Sequence, residues 1–121
     1  MKTDVIRKTV KNVYDAIDLD VQEVSGYYES IAKDNDDQEA IKSYRIKVHS
    51  IKSTATVLGI LPIAGMAATL EYAARDGKID KILAMTPYLL SDLSGYKEKL
   101  SGVIKVDLAG EKKEITDKNV C

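Results

Sequence analysis

His49 is the only histidine in the chain, and it opens the run His49-Ser50-Ile51-Lys52-Ser53-Thr54-Ala55. A neutral imidazole is nucleophilic through one ring nitrogen, and an exposed one can accept a phosphoryl group held by another protein. A phosphoryl group in transfer spreads charge over its equatorial oxygens, so nearby cations stabilise it. Lys52 follows His49 by three residues and Arg45 precedes it by four. On a helix, both spacings bring a cation alongside the ring. Ser53 and Thr56 are small enough to let a partner approach closely.

Such an arrangement needs a helix to hold it. Over residues 36–59, Ile41, Tyr44, Val48, Ile51, Ala55 and Leu58 recur every three or four positions and form one apolar stripe. At about 100° per residue, His49 projects roughly 130° away from that stripe, outside the core. Lys42, Arg45, Lys52, Ser53 and Thr56 share its side of the helix. Taken alone, this pattern also suits an ordinary solvated face.

The remaining segments supply a scaffold. Residues 3–17 carry Val5, Ile6, Val10, Val13, Tyr14 and Ile17 at helical spacing, with Thr3 as N-cap. Asp18-Leu19-Asp20 reads as a kink or short turn, or as the middle of a continuous helix. Residues 20–33 repeat the pattern with Val21, Val24, Tyr27, Tyr28 and Ile31. Asp34 to Asp37 is a polar break, and Asp36 or Asp37 can cap the histidine helix. Gly59 is a natural stop, and Pro62 suits the first turn of a helix over 62–75. That helix places Ile63, Met66, Ala67, Leu70, Ala73 and Ala74 inward and ends at Asp76-Gly77. A last helix over 79–104 runs from Ile79 to Val103 and Ile104, with Pro87 expected to kink it or mark a restart. Residues 106–121 are polar and weakly patterned, as in a frayed tail. Short links between long amphipathic helices imply antiparallel neighbours.

Composition narrows the classes. The chain has 121 residues, 45% hydrophobic and 31% charged, with a formal net charge of −1. That is enough for one domain with a core. The charges are interspersed, so nucleic-acid binding has little electrostatic support. No apolar run is long enough for a bilayer span, and residues 1–10 do not read as a signal peptide. Cys121 is the only cysteine, which excludes an internal disulfide and a cysteine-built zinc site. The default compartment is a reducing cytoplasm. A calcium loop beginning at Asp34 would need glycine at 39 and glutamate at 45, where Glu39 and Arg45 stand. No glycine-rich phosphate loop or nucleophile elbow is present. Tyr27, Tyr28, Tyr44 and Tyr72 read as core or core edge rather than as a base-stacking platform.

The run from His49 to Ala55, followed by Leu58-Gly59 and then Leu70-Glu71, resembles the histidine-containing phosphotransfer (HPt) domain family. Members read His-x-x-Lys-Gly/Ser, a small-residue run, Leu-Gly, and Leu-Glu in the next helix. Tyr44 and the break at Asp76-Gly77-Lys78 are similar to the bacterial branch, and the resemblance covers residues 20–104. It implies His49 as phosphoacceptor and Lys52 as the group stabilising the phosphoryl. A partner would dock on the His49 face, where Arg45, Ser53 and Thr56 flank the ring, with Met66 of the next helix either adding an apolar contact or lying buried. Ser53 stands where many members have glycine. Gly59 would be structural, and Glu71 a structural or surface residue.

The resulting expectation is an all-α, antiparallel up-down four-helix bundle with an additional N-terminal helix. The bundle spans 1–105, followed by a flexible tail over 106–121. It would be a monomeric cytoplasmic phosphoryl carrier, not an enzyme in its own right, without cofactor or metal. Receiver domains and a histidine kinase would be its partners, and the receiver would supply most of the catalysis. The alternative is a non-catalytic helical adaptor that binds a receiver or kinase on the same face. A sensor-kinase dimerisation domain fits less well, because Ser50 and Thr54 stand where that family carries an acidic residue and a proline.

Overall fold

A computed structural model describes the backbone of residues 2–120 and the side chains of residues 8–102. The chain forms four α-helices: α1 (Lys2–Lys33), α2 (Gln38–Leu58), α3 (Leu61–Arg75) and α4 (Ile79–Val120). They close into a ring, α1 against α2 and α4, and α3 against α2 and α4. No helix among the described residues is long and apolar enough to cross a membrane.

The helix ends follow from local chemistry. Asp37 caps α2, its carboxylate accepting the backbone N–H of Ala40 at 3.1 Å. At the other end Gly59 takes the left-handed conformation, φ 75°. This geometry lets Ile60 N–H donate to the Ala55 carbonyl at 2.8 Å and Gly59 N–H to that of Thr56 at 3.2 Å. Two carbonyls that a helix end would leave unpaired are thereby satisfied. Gly77 repeats the device after α3, with φ 70° and Lys78 N–H donating to Ala73 at 2.8 Å. Pro62 sits in the first turn of α3, where a missing N–H costs nothing.

Neither of the two doubtful places breaks a helix. Asp18-Leu19-Asp20 lies within an unbroken α1, so no separate helix precedes the bundle's first. The step contains no helix breaker. Asp18 pairs with Lys97 of α4 at 2.7 Å, Asp20 lies 3.4 Å from Lys47 of α2, and Leu19 faces solvent. Pro87 likewise leaves α4 continuous. Its ring deprives the Leu83 carbonyl of the i−4 donor, and the Tyr28 hydroxyl donates to that carbonyl across a long 3.5 Å. The Thr3 cap, the inward positions Val5, Ile6, Val103 and Ile104, and the tail over 106–121 lie outside the residues whose side chains are described.

The core takes Ile17, Val24 and Ile31 from α1, Ile41, Tyr44, Val48, Ile51 and Ala55 from α2, and Ile82, Leu89 and Leu93 from α4. α3 contributes Ile63, Leu70 and four alanines, Ala64, Ala67, Ala73 and Ala74. Leu58, expected on the α2 stripe, is instead exposed beside the turn, because α2 ends there. Tyr72, expected at the core edge, is also exposed. One polar pair lies inside the core: Tyr44 Oη and Thr86 Oγ1 are 2.6 Å apart. The Thr86 hydroxyl donates to the Ile82 carbonyl within α4, so Tyr44 is the donor to Thr86. Burial pushes the Tyr44 phenol up to about 12, which keeps it a neutral donor at physiological pH.

Candidate functional site

α2 carries His49 on its outer side, with 59% of the side chain exposed. The helical projection therefore holds. The ring is not free in orientation, however. Nδ1 lies 2.6 Å from Oε1 of Glu71, which α3 presents from the neighbouring helix. Glu71 Oε2, sealed from solvent, has the Lys52 ammonium 2.7 Å away as its counter-charge. One carboxylate thus joins the histidine and the lysine that follows it by one turn. Lys52 first, and then His49, hold the Glu71 carboxyl below its ordinary range, against the opposing effect of burial.

This geometry selects a tautomer. A carboxylate accepts but cannot donate, so His49 Nδ1 carries a proton, and in the neutral ring Nε2 keeps its lone pair. No described side chain engages Nε2. The arrangement is a histidine held by a carboxylate on one nitrogen, with the other open to solvent. Such a ring can act as a nucleophile or a base toward a group brought by a partner.

Beside the ring, α2 and α3 enclose a cleft of about 320 Å³ lined by Arg45, Ile46, His49, Glu71, Tyr72 and Arg75. Arg45 has no ion-pair or hydrogen-bond partner among the described residues. The Arg75 guanidinium stacks over the Tyr72 ring, 4.7 Å from its centre, while its Nε donates to Asp76 at 3.3 Å.

The residues expected from sequence divide accordingly. His49, Lys52 and Arg45 come together. Ser53 and Thr56 lie exposed on the same face, but their hydroxyls turn back to the carbonyls of His49 and Lys52 at 3.2 and 2.7 Å. They contribute small size rather than free donors. Met66 is half-buried against the core and lies about 140° around α3 from Glu71 by helix geometry. It is absent from the lining of the cleft. Glu71, expected to be a structural or surface residue, is the group that orients the histidine. Ile46, Tyr72 and Arg75 also line the cleft, and no motif in the sequence marks them. Among the described residues no group of three or more His, Cys, Asp and Glu side chains is placed to hold a metal ion.

Compared with protein-family models, curated proteins and solved structures, the chain matches none.

Proposed function

We propose that this chain is a histidine phosphotransfer domain, a phosphoryl carrier between receiver-domain aspartates, and that its helices form an antiparallel up-down bundle. One observation carries the reading: Glu71 Oε1 holds His49 Nδ1 at 2.6 Å and leaves Nε2 exposed. The bundle topology is supported by the short turns and by two pairings, in which Asp18 of α1 meets Lys97 of α4 while the later Tyr28 meets the earlier Leu83.

In this reading the Nε2 lone pair attacks the phosphorus of an aspartyl phosphate on the partner. The N–P bond forms, the P–O bond to the aspartate breaks, and the partner recovers a carboxylate. The imidazole gains positive charge as it bonds, while its Nδ1 proton stays on the ring. Glu71 stabilises that charge, as an acceptor already aligned with the Nδ1–H. Lys52 fixes Glu71 from its other oxygen, and the Arg45 guanidinium, which lines the cleft beside the ring, is the cation placed to temper the charge of the incoming group. Most of the catalysis belongs to the receiver, which brings the phosphoryl group and its own activating groups. A monomer working in the cytoplasm with a histidine kinase and receivers suits such a carrier.

The test is to mix the chain with a phosphorylated receiver domain and follow labelled phosphate. Wild type should acquire base-stable, acid-labile label, and His49→Gln should acquire none. Label that persists on His49→Gln would overturn the assignment. The exposure of His49 makes that variant safe for folding, which circular dichroism would verify. Binding of receiver without any transfer, equal in wild type and His49→Ala, would favour an adaptor instead.

A further inference from the structure

The cleft beside His49 does not end at Arg45 and Arg75. The same two residues line a second cleft of about 320 Å³, on the side toward the start of α2, together with Gln38, Lys42 and Ala74. The two hollows therefore make one track along the α2–α3 face, from His49 to Gln38. Its charge is one-sided. Lys42 and Arg45 face it without a counter-ion among the described residues, Arg75 faces it with Asp76 on its Nε, and the Glu71 carboxylate is held between Lys52 and His49. Beside these cations stand two exposed apolar side chains, Ile46 at 58% and Tyr72 at 53% exposure. Stacking on Tyr72 and the bond to Asp76 hold the Arg75 guanidinium in one orientation, which reduces the entropy lost when it binds.

We propose that this track docks a carboxylate-rich segment of the partner protein, with Lys42, Arg45 and Arg75 supplying the charge and Ile46 and Tyr72 the apolar contact. The proposal rests on the phosphocarrier reading only for the identity of that partner. Charge complementarity selects an acidic occupant, and the apolar flank selects a protein. A nucleic acid fits less well. Three cations along about three helical turns are few, the whole chain is net −1, and Arg75 already covers one face of the Tyr72 ring. Docking here would place the partner's reacting group beside His49 without using His49 for affinity.

The experiment combines two readouts on the full chain. In transfer from a phosphorylated receiver, Lys42→Glu combined with Arg75→Glu should raise KM about tenfold or more at low salt, with kcat within about twofold. The salt dependence of KM should flatten in the same variant. Lys81→Glu, an exposed charge on α4, should leave both parameters unchanged. In parallel, a fluorescein-labelled Glu-rich peptide should bind wild type and His49→Gln alike and lose at least about fivefold in affinity for the double variant. Unchanged KM and peptide affinity in the double variant would overturn the track. Tighter binding of a labelled single-stranded oligonucleotide than of the peptide would overturn it as well. Absence of label on wild-type His49 would instead sink the phosphocarrier reading, and the peptide titration would still decide the track.

Discussion

Glu71 is the residue on which the chemistry of His49 turns. Its carboxylate holds the neutral ring in the Nδ1–H tautomer and, in the proposed carrier, balances the charge that appears when Nε2 forms a bond. Glu71→Gln keeps the shape but allows the amide to present its NH2 to Nδ1, which would favour the opposite tautomer. Transfer to His49 should fall roughly ten- to a hundredfold, the usual cost of removing a group that orients a reactive histidine. Nitrogen NMR of the ring should show the Nδ1–H form losing population. The same substitution has a pH signature. Glu71 sits below its ordinary value of 4.5 in the folded chain. Its contribution to stability is therefore complete above that pH and is lost as pH falls through the depressed folded value. Acid denaturation curves of wild type and Glu71→Gln should be fully separated at and above about pH 4.5 and should converge as pH falls below it. Curves that stay parallel through this range would show that the ion pair adds nothing to the fold.

At the scale of the elements, α2 and α3 matter most, because they carry the two halves of the site. The left-handed Gly59 closes α2 and turns the chain within two residues into α3, so the two helices are held side by side. α4 is the element with a helical hydrogen bond missing. Pro87 removes an N–H that the Leu83 carbonyl needs, and a 3.5 Å approach from Tyr28 is a poor replacement. Pro87→Ala restores the helical bond and should stabilise the chain by about 1–3 kcal/mol in urea unfolding. A loss of stability would show that proline's restriction of the unfolded chain outweighs the missing bond. Transfer to His49 should be unaffected, since α4 does not line the cleft.

For the whole molecule, the consequential feature is how closely α3 packs. Four of its buried residues are alanines, and small side chains let neighbouring helices approach. Ala74 lies in this seam, beside Ile41 and Arg45 of α2. Ala74→Leu should overpack it and cost about 1–3 kcal/mol. It should also move α3 outward and weaken the His49–Glu71 bond, so that the loss of stability comes with the tautomer shift seen in Glu71→Gln. Loss of stability with the tautomer unchanged would mean that α3 yields elsewhere.

Much of this architecture could be read from the residues alone, wherever the cause is local. The outward projection of His49, an aspartate cap at 36 or 37, the glycine stops at Gly59 and Gly77, and the inward stripe from Ile41 to Ala55 depend on neighbours a few positions apart. Where local signals were mixed, the surroundings decided. Asp18-Leu19-Asp20 remains helical with its carboxylates facing Lys97 and Lys47 on other helices, and Pro87 is carried within a packed α4. The site shows the same division. His49, Arg45 and Lys52 share one helix, so their spacing exposes them. Glu71 is 22 positions from His49, and only the packing of α3 on α2 brings them together. That packing also turns Met66 away from the cleft and Tyr72 and Arg75 toward it. The position of a histidine on a helix is a matter of periodicity, whereas its tautomer and the cleft beside it require a second helix.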